Sequence, residues 1–330
     1  MADAPVRHVV EVGQFDRAGV ERLFTAADRM RDLPRTAVPA RGRILATIFY
    51  EPSTRTRLSF ESAMQRLGGG VISTENARDF SSAIKGETVE DTVRIVAGYA
   101  DAIVLRHHEL GAASRAAAVS PVPILNAGDG PGEHPTQALL DLYTIAHELG
   151  RIDNLRVALV GDLRFGRTAR SLARLFRLSR GSELLFVSPP AVPMGADVRA
   201  ELDAAGVPHR DEPDLAKVLP DVDVVYQTRI QRERFATPGE YEAARGVYVI
   251  DAEAMRRLNP GAIVLHPLPR VDEITVDVDA DPRAAYFRQA HNGVHIRMAL
   301  LADVFGIDAS RRARQGSAGN TRGRPATWAT

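Results

Sequence analysis

Cysteine is absent from all 330 residues. That excludes disulfide frameworks, thiolate metal sites and thiol nucleophiles, and it fits a reducing compartment, so a cytoplasmic location is expected. Lysine is nearly absent too: the basic residues are arginine except Lys85 and Lys217, so each lysine calls for a reason. No charge of one sign dominates, because acidic and basic residues balance at 42 each; no global field favours nucleic acid or an anionic membrane. Long apolar runs are missing as well. Nothing approaches the roughly 20 residues that span a bilayer, and Met1–Arg7 lacks the basic stretch and apolar core of an export signal. Neither a secreted nor an embedded protein is expected.

What remains is 45% hydrophobic and 25% charged, the content of an ordinary globular protein, in a chain long enough for two cores. Short Val-, Ile- and Leu-rich runs alternate with helix-period stretches, which is the pattern of βα units. The fold class is therefore α/β, with two domains, each a parallel β-sheet flanked by helices. Candidate strands are 44–50, 71–73, 102–105 and 122–125 in the first half, and 156–160, 184–187, 222–226 and 262–265 in the second. His134-Pro135-Thr136-Gln137 opens a helix with Pro in its first turn, an apolar face at Leu139, Leu142, Tyr143 and Ala146, and a stop at Gly150. The junction is placed along it. A final amphipathic stretch over 282–305 closes the fold. The expected division is 1–134 with 285–307 as one domain, 135–149 as linking helix and 150–284 as the other domain. Residues 308–330 form a tail of Arg, Gly, Ser, Ala and Thr with almost nothing to bury, expected to be disordered.

Chemistry concentrates at Ser53-Thr54-Arg55-Thr56-Arg57. This segment follows the strand ending at Tyr50 and opens a helix whose apolar positions Phe60, Ala63, Met64 and Leu67 share one face. Unpaired N–H groups and the positive end of the helix dipole favour an anion there, and three hydroxyls with Arg55 and Arg57 add donors. The bland alternative, Ser53 as a simple N-cap with surface arginines, suits a lone Ser-Thr better than a pentapeptide with two arginines. In open α/β sheets ligands lie beyond the carboxyl ends of strands. There the first half supplies Arg106, Asn126–Gly130, His134 and Gln137. The second supplies Gly161–Arg167, Gln227–Gln231 and His266–Arg270. Phosphate donors on one domain and separate arginines on the other suit an anionic phosphorylated donor and a carboxylate-bearing acceptor. The loop after 156–160 lacks the full Gly-x-Gly-x-x-Gly pattern, which counts against a dinucleotide-binding oxidoreductase. His107 and His108 are adjacent, a spacing expected to point them apart, and no third ligand is well spaced, so no metal and no cofactor are expected.

The pentapeptide, within Phe49–Glu61, resembles the signature of the aspartate and ornithine carbamoyltransferases, and the likeness continues in order over most of residues 5–306. The resemblance implies a carbamoyltransferase-like fold. It implies that Ser53, Thr54, Arg55, Thr56 and Arg106 bind carbamoyl phosphate, with His134, Arg106 and Thr56 polarising its carbonyl. Gln137 would hold the carbamoyl end, and the carbonyls of Leu268 and Pro269, in a turn resembling the family's cis-peptide turn, would accept from its amino group. For the acceptor, 79–88 resembles the aspartate enzymes' mobile loop, in which Ser81 and Lys85 would be lent to a neighbouring subunit's site. An ammonium there attracts a second carboxylate and repels ornithine. Arg167, Arg229 and Gln231 would hold L-aspartate, and His266-Pro267-Leu268-Pro269 stands where ornithine enzymes carry His-Cys-Leu-Pro. The implied reaction gives N-carbamoyl-L-aspartate and phosphate, the committed step of pyrimidine (UMP) synthesis. The implied assembly is a homotrimer, to which the family can add a separate regulatory chain. A transferase for another amine and a non-catalytic member of the fold are the rivals.

Overall fold

The computed structural model describes residues 6–77, 86–230 and 246–307. Its first part alternates helix and strand through α1 (Arg17–Arg31), β1 (Ile44–Phe49), α2 (Thr54–Arg66), β2 (Gly70–Glu75), α3 (Val89–Val96), β3 (Ala102–His107), α4 (Ala112–Val119) and β4 (Ile124–Asp129). After α5 (Pro135–Leu149) come β5 (Arg156–Val160), α6 (Arg167–Leu175), β6 (Glu183–Val187), α7 (Ala196–Ala204), β7 (His209–Asp211), α8 (Leu215–Val218) and β8 (Val224–Gln227). The described residues end in α9 (Ala252–Arg257), β9 (Ile263–Leu265) and α10 (Tyr286–Val304).

Two sheets result, a four-stranded one in the order β2-β1-β3-β4 and a five-stranded one in the order β7-β6-β5-β8-β9. Every pairing between these strands is parallel. Parallel strands need helical crossovers that cover both faces, which is why β1, β3, β5 and β8 are nearly continuous buried apolar runs rather than alternating ones. The expected strands all appear, 156–160 with both ends unchanged and the others with ends shifted by at most four residues. The one strand not expected, β7, is a three-residue His-Arg-Asp edge in which Arg210 and Asp211 are exposed and His209 packs on Phe186, a polar triplet with no apolar signal.

Both sheet orders reverse direction once. The first does so between β1 and β3, the second between β5 and β8, and crevices outside the carboxyl ends of strands form at such switch points. Gly161 (φ +111°) ends β5 where a Cβ would stand 2.3 Å from the Thr228 carbonyl oxygen, so only glycine lets the ends of β5 and β8 approach. Between the sheets, α5 is buried on every side from Pro135 to Ile145, and it packs against β4, α6 and α10. Its apolar residues fall on every side, so it sits inside the core, and the polar ones among them, Thr136, Gln137, Asp141 and Thr144, are buried with it. One continuous cluster accordingly runs from Leu45 and Val104 through Leu139 and Leu142 to Leu159 and Phe186. The last helix, α10, returns to pack on α1 and α2 as well as α5.

Candidate active site

A cleft of about 1010 Å³ opens between the two switch points. Of the residues singled out from sequence, Ser53, Thr54, Arg55, Thr56, Arg106, His134, Gln137, Arg167, Arg229, Leu268 and Pro269 all line it. Ser81, Lys85 and Gln231 lie outside the described residues, as does the 308–330 tail.

The start of α2 forms one wall. Ser53 sits at the N-cap position but its side chain makes no capping bond, and no acidic residue occupies the first turn, so the positive helix end is not neutralised from within the helix. Arg57 departs from the expected cradle. Its guanidinium lies 2.9 Å from Glu75 and 3.7 Å from Glu61 and donates to Ser73 Oγ at 3.2 Å, which ties α2 to β2 instead of facing the cleft. In a helix, Arg55 and Arg57 project about 200° apart, so both cannot serve one ligand at the helix start.

Arg106 follows the switch point at β3. Its Nη1 donates to the Ala127 carbonyl at 3.1 Å, and its Nη2 lies 3.6 Å from Glu51. Burial, with Arg167 and Arg55 nearby, pulls its pKa down to about 9 against the opposing pull of Glu51. Arg167, the first residue of α6, reaches across from the second sheet and donates from Nη1 to the Gly130 carbonyl at 2.7 Å. Gly128 (φ +115°) makes room for this pair: a Cβ there would stand 2.9 Å from Arg167 Cζ and 3.2 Å from Arg106 Nη1. Three guanidiniums, of Arg55, Arg106 and Arg167, thus converge on one edge beside the Glu51 carboxylate, an arrangement that favours an anionic ligand.

His134 is 4% exposed at the N-terminus of α5 and makes no side-chain cap; its backbone N–H donates to Ser171 Oγ at 3.1 Å. Burial first, then Arg167, Arg106 and Arg297, hold its pKa well below the usual histidine value. It is therefore a neutral imidazole at pH 7, able to donate one hydrogen bond without carrying charge. Gln137, one turn on, donates from Nε2 to Asp141 Oδ1 at 2.8 Å.

The opposite wall is the turn after β9. The Leu268–Pro269 bond is cis, and Leu268 has φ +54°. His266 holds this turn: its Nδ1 accepts the Leu268 N–H at 2.7 Å, which leaves Nε2 to carry the proton shared with Glu273 at 2.8 Å.

The sequence reading missed Glu51, Gln289 and Arg297, which also line the cleft. Arg297 is 3% exposed on α10, and burial lowers its pKa to about 10. A usable signal was present, since Gln289, Asn292 and Arg297 occupy buried positions of an otherwise apolar helix face. The histidine pair also corrects expectation. His107 and His108 do not point apart: their rings stack with centroids 4.3 Å apart, because the strand ends at His107 and the chain turns. With Glu109 they form a group of three possible ligands, but His107 Nδ1 accepts the Glu109 N–H and the Glu109 carboxylate is bonded to Arg115 at 2.7 Å.

Comparison with known proteins establishes the family and the fold. Residues 7–147 match the family model described as the aspartate/ornithine carbamoyltransferase carbamoyl-P binding domain, and residues 153–304 match the corresponding Asp/Orn binding domain. A curated relative from Arabidopsis thaliana, named aspartate carbamoyltransferase, chloroplastic, is 57% identical over 297 residues, covering 89% of this chain and 76% of the relative. The pea and rice relatives are named chloroplastic too, which overturns the cytoplasmic expectation: lack of cysteine does not distinguish one reducing compartment from another. The catalytic subunit of Methanocaldococcus jannaschii aspartate transcarbamoylase superposes with a TM-score of 0.85 at 45% identity, covering 92% of this chain and 99% of that one. The Trypanosoma cruzi aspartate transcarbamoylase, solved in complex with carbamoyl phosphate and aspartate, gives 0.84 at 41% identity, with 91% and 96% covered. Matched along both halves and at such identity, the chain belongs to the aspartate/ornithine carbamoyltransferase family.

Proposed function

We propose that this cleft is where the chain transfers the carbamoyl group of carbamoyl phosphate to the α-amine of L-aspartate, giving N-carbamoyl-L-aspartate and phosphate. The observation that carries the assignment of the site is the convergence of Arg55, Arg106 and Arg167 with a buried neutral histidine at the facing switch points. Ser53, Thr54, Arg55 and Thr56 at the start of α2, with Arg106, hold the phosphate. His134, Arg106 and Thr56 donate to the carbonyl oxygen, Gln137 holds the carbamoyl end, and the Leu268 and Pro269 carbonyls accept from its amino group. Arg167, Arg229 and Gln231 hold the carboxylates of aspartate, and Lys85 supplies the ammonium that selects a second carboxylate over ornithine's amine.

The neutral amine attacks the carbamoyl carbon and an oxyanion develops on the carbonyl oxygen; the bond to the phosphate oxygen then breaks, the departing phosphate takes the amine's proton, and no covalent enzyme intermediate is needed. Donors preplaced on the developing oxyanion contribute about 10²–10³-fold each, and holding two anions in attack geometry supplies much of the rest. A cationic cleft does both at once. The product places the chain at the committed step of pyrimidine synthesis.

The active unit is a homotrimer in which Ser81 and Lys85 come from the neighbouring subunit, so the monomer's site is incomplete. Product formation from carbamoyl phosphate with aspartate and with ornithine in parallel tests the acceptor, and turnover with ornithine alone would refute the assignment. Mixing Arg55→Ala with Lys85→Ala chains tests the sharing. Shared sites recover part of the activity through mixed trimers, whereas sites built within one chain recover none.

A further inference from the structure

The reaction outlined above makes no use of Asp141, a carboxylate with 0% exposure on α5. It gathers three donors from three elements. Gln137 Nε2 (α5) and Gln289 Nε2 (α10) donate to Oδ1 at 2.8 and 2.6 Å, and the Tyr226 hydroxyl (β8) donates to Oδ2 at 2.7 Å. Burial pushes its pKa up to about 7 against the pull of these donors and of Arg297. Above that pH it accepts and cannot donate.

An amide side chain can face a ligand with either its oxygen or its nitrogen, and its other partner decides which. Because the Asp141 carboxylate only accepts, Gln137 must turn Nε2 toward it, which leaves Oε1 as the atom offered to the cleft that Gln137 lines. A carbamoyl group carries N–H donors at that end, so an oxygen there recognises it, and a flipped amide would set N–H against N–H. The same carboxylate orients Gln289. With Nε2 on Asp141, its Oε1 accepts the His266 N–H at 2.8 Å, at the head of the turn that carries Leu268 and Pro269. One buried acceptor thus sets the polarity of two amides on opposite walls.

We propose that Asp141 is a positioning residue for carbamoyl phosphate: it holds the Gln137 amide oxygen toward the carbamoyl NH₂ and, through Gln289, anchors the 266–269 turn whose carbonyls accept from the same group. This rests on the reading in which Gln137 and that turn hold the carbamoyl end.

Asp141→Asn keeps the size of the side chain and turns one acceptor into a donor. The test measures KM for each substrate, kcat and the melting midpoint, well above pH 7, for Asp141→Asn, Gln137→Leu and the double variant of the full chain. Each single change should raise KM for carbamoyl phosphate by about tenfold, the equivalent of one well-made hydrogen bond, and leave KM for aspartate within about twofold. The double variant should raise that KM by less than the product of the two single effects, because both changes lose the Gln137 amide and only Asp141→Asn also loses the anchor through Gln289. The proposal is overturned if Asp141→Asn lowers the melting midpoint without moving KM for carbamoyl phosphate, or if the two effects multiply. If Gln137→Leu itself leaves that KM unchanged, the reading of Gln137 fails and takes the proposal with it, a pattern distinct from the first two. Should Asp141→Asn not fold, the Gln137 side-chain ¹⁵N resonances of the unsubstituted chain, assigned by their loss in Gln137→Leu, report the same bond. Protection from exchange supports it, and exchange as fast as a solvent-exposed glutamine overturns it.

Discussion

Replacing Arg106 with leucine should separate what the cleft costs the fold from what it does for the ligand. The side chain is 14% exposed, and its environment lowers its pKa from the ordinary arginine value to about 9, through burial first and then Arg167 and Arg55. A displacement of that size corresponds to an unfavourable free energy on the order of 5 kcal/mol, at about 1.4 kcal/mol per tenfold. The sign is that of a base held more weakly when folded. The unfolded chain binds the proton more tightly, so the cost is present at every pH below about 9 and fades as pH rises through that value. Leucine removes the cost together with the bond to the Ala127 carbonyl, worth about 1 kcal/mol, and leaves a side chain that packs in the same space. The net expectation for the ligand-free chain is a gain of roughly 1–3 kcal/mol, discounting for relaxation and water entry. With ligand the order reverses: kcat/KM for carbamoyl phosphate should fall by at least about 10³-fold, and phosphate should no longer raise the unfolding midpoint. Urea unfolding with and without phosphate, together with initial rates, measures all three. Arg106→Leu that loses several kcal/mol without ligand, yet keeps its phosphate-linked stabilisation, would refute the view of this cation as strained in the empty site.

His134 should stay neutral across the assay range, because burial and three arginines oppose its protonation. Its imidazole resonances should not titrate between about pH 6 and 8, and a midpoint near 6.5 would contradict the assignment. The unfolded chain protonates there and the folded one does not, so His134, like His107 and His266, makes stability fall as pH drops below about 6.5. Truncating His134 to alanine should lower kcat by about 10²–10³-fold through loss of one carbonyl donor. Gly128→Ala places a methyl group 2.9 Å from Arg167 Cζ in a backbone conformation that suits glycine. It should raise KM for aspartate by about tenfold or more, since a displaced bidentate arginine loses at least one charged hydrogen bond; an unchanged KM would show that Arg167 does not depend on this approach.

The sequence by itself determined the layer class, because parallel strands buried on both faces must be short continuous apolar runs, and those are visible without coordinates. It also determined most of the cleft. Residues that follow strand ends are delivered to one edge by the fold, so Arg55, Arg106, His134, Arg167 and Arg229 could be collected before their positions were known. Local pattern did not reach β7, whose polar edge carries no burial signal, nor the stacking of His107 on His108, which depends on where a strand stops.

Three matters belonged to the tertiary structure alone. Two arginines in one pentapeptide took opposite duties, since helical spacing turns Arg57 to Glu75 and Ser73 while Arg55 faces the cleft. The protonation of His134 depended on its neighbours from α6, β3 and α10, which no spacing along the chain reveals. The role of Asp141 required knowing that Gln137, Gln289 and Tyr226, up to 148 residues away, meet on one carboxylate. Motifs record which groups a reaction needs; polarity, protonation and orientation arise from long-range packing, and these exist only once the chain has folded.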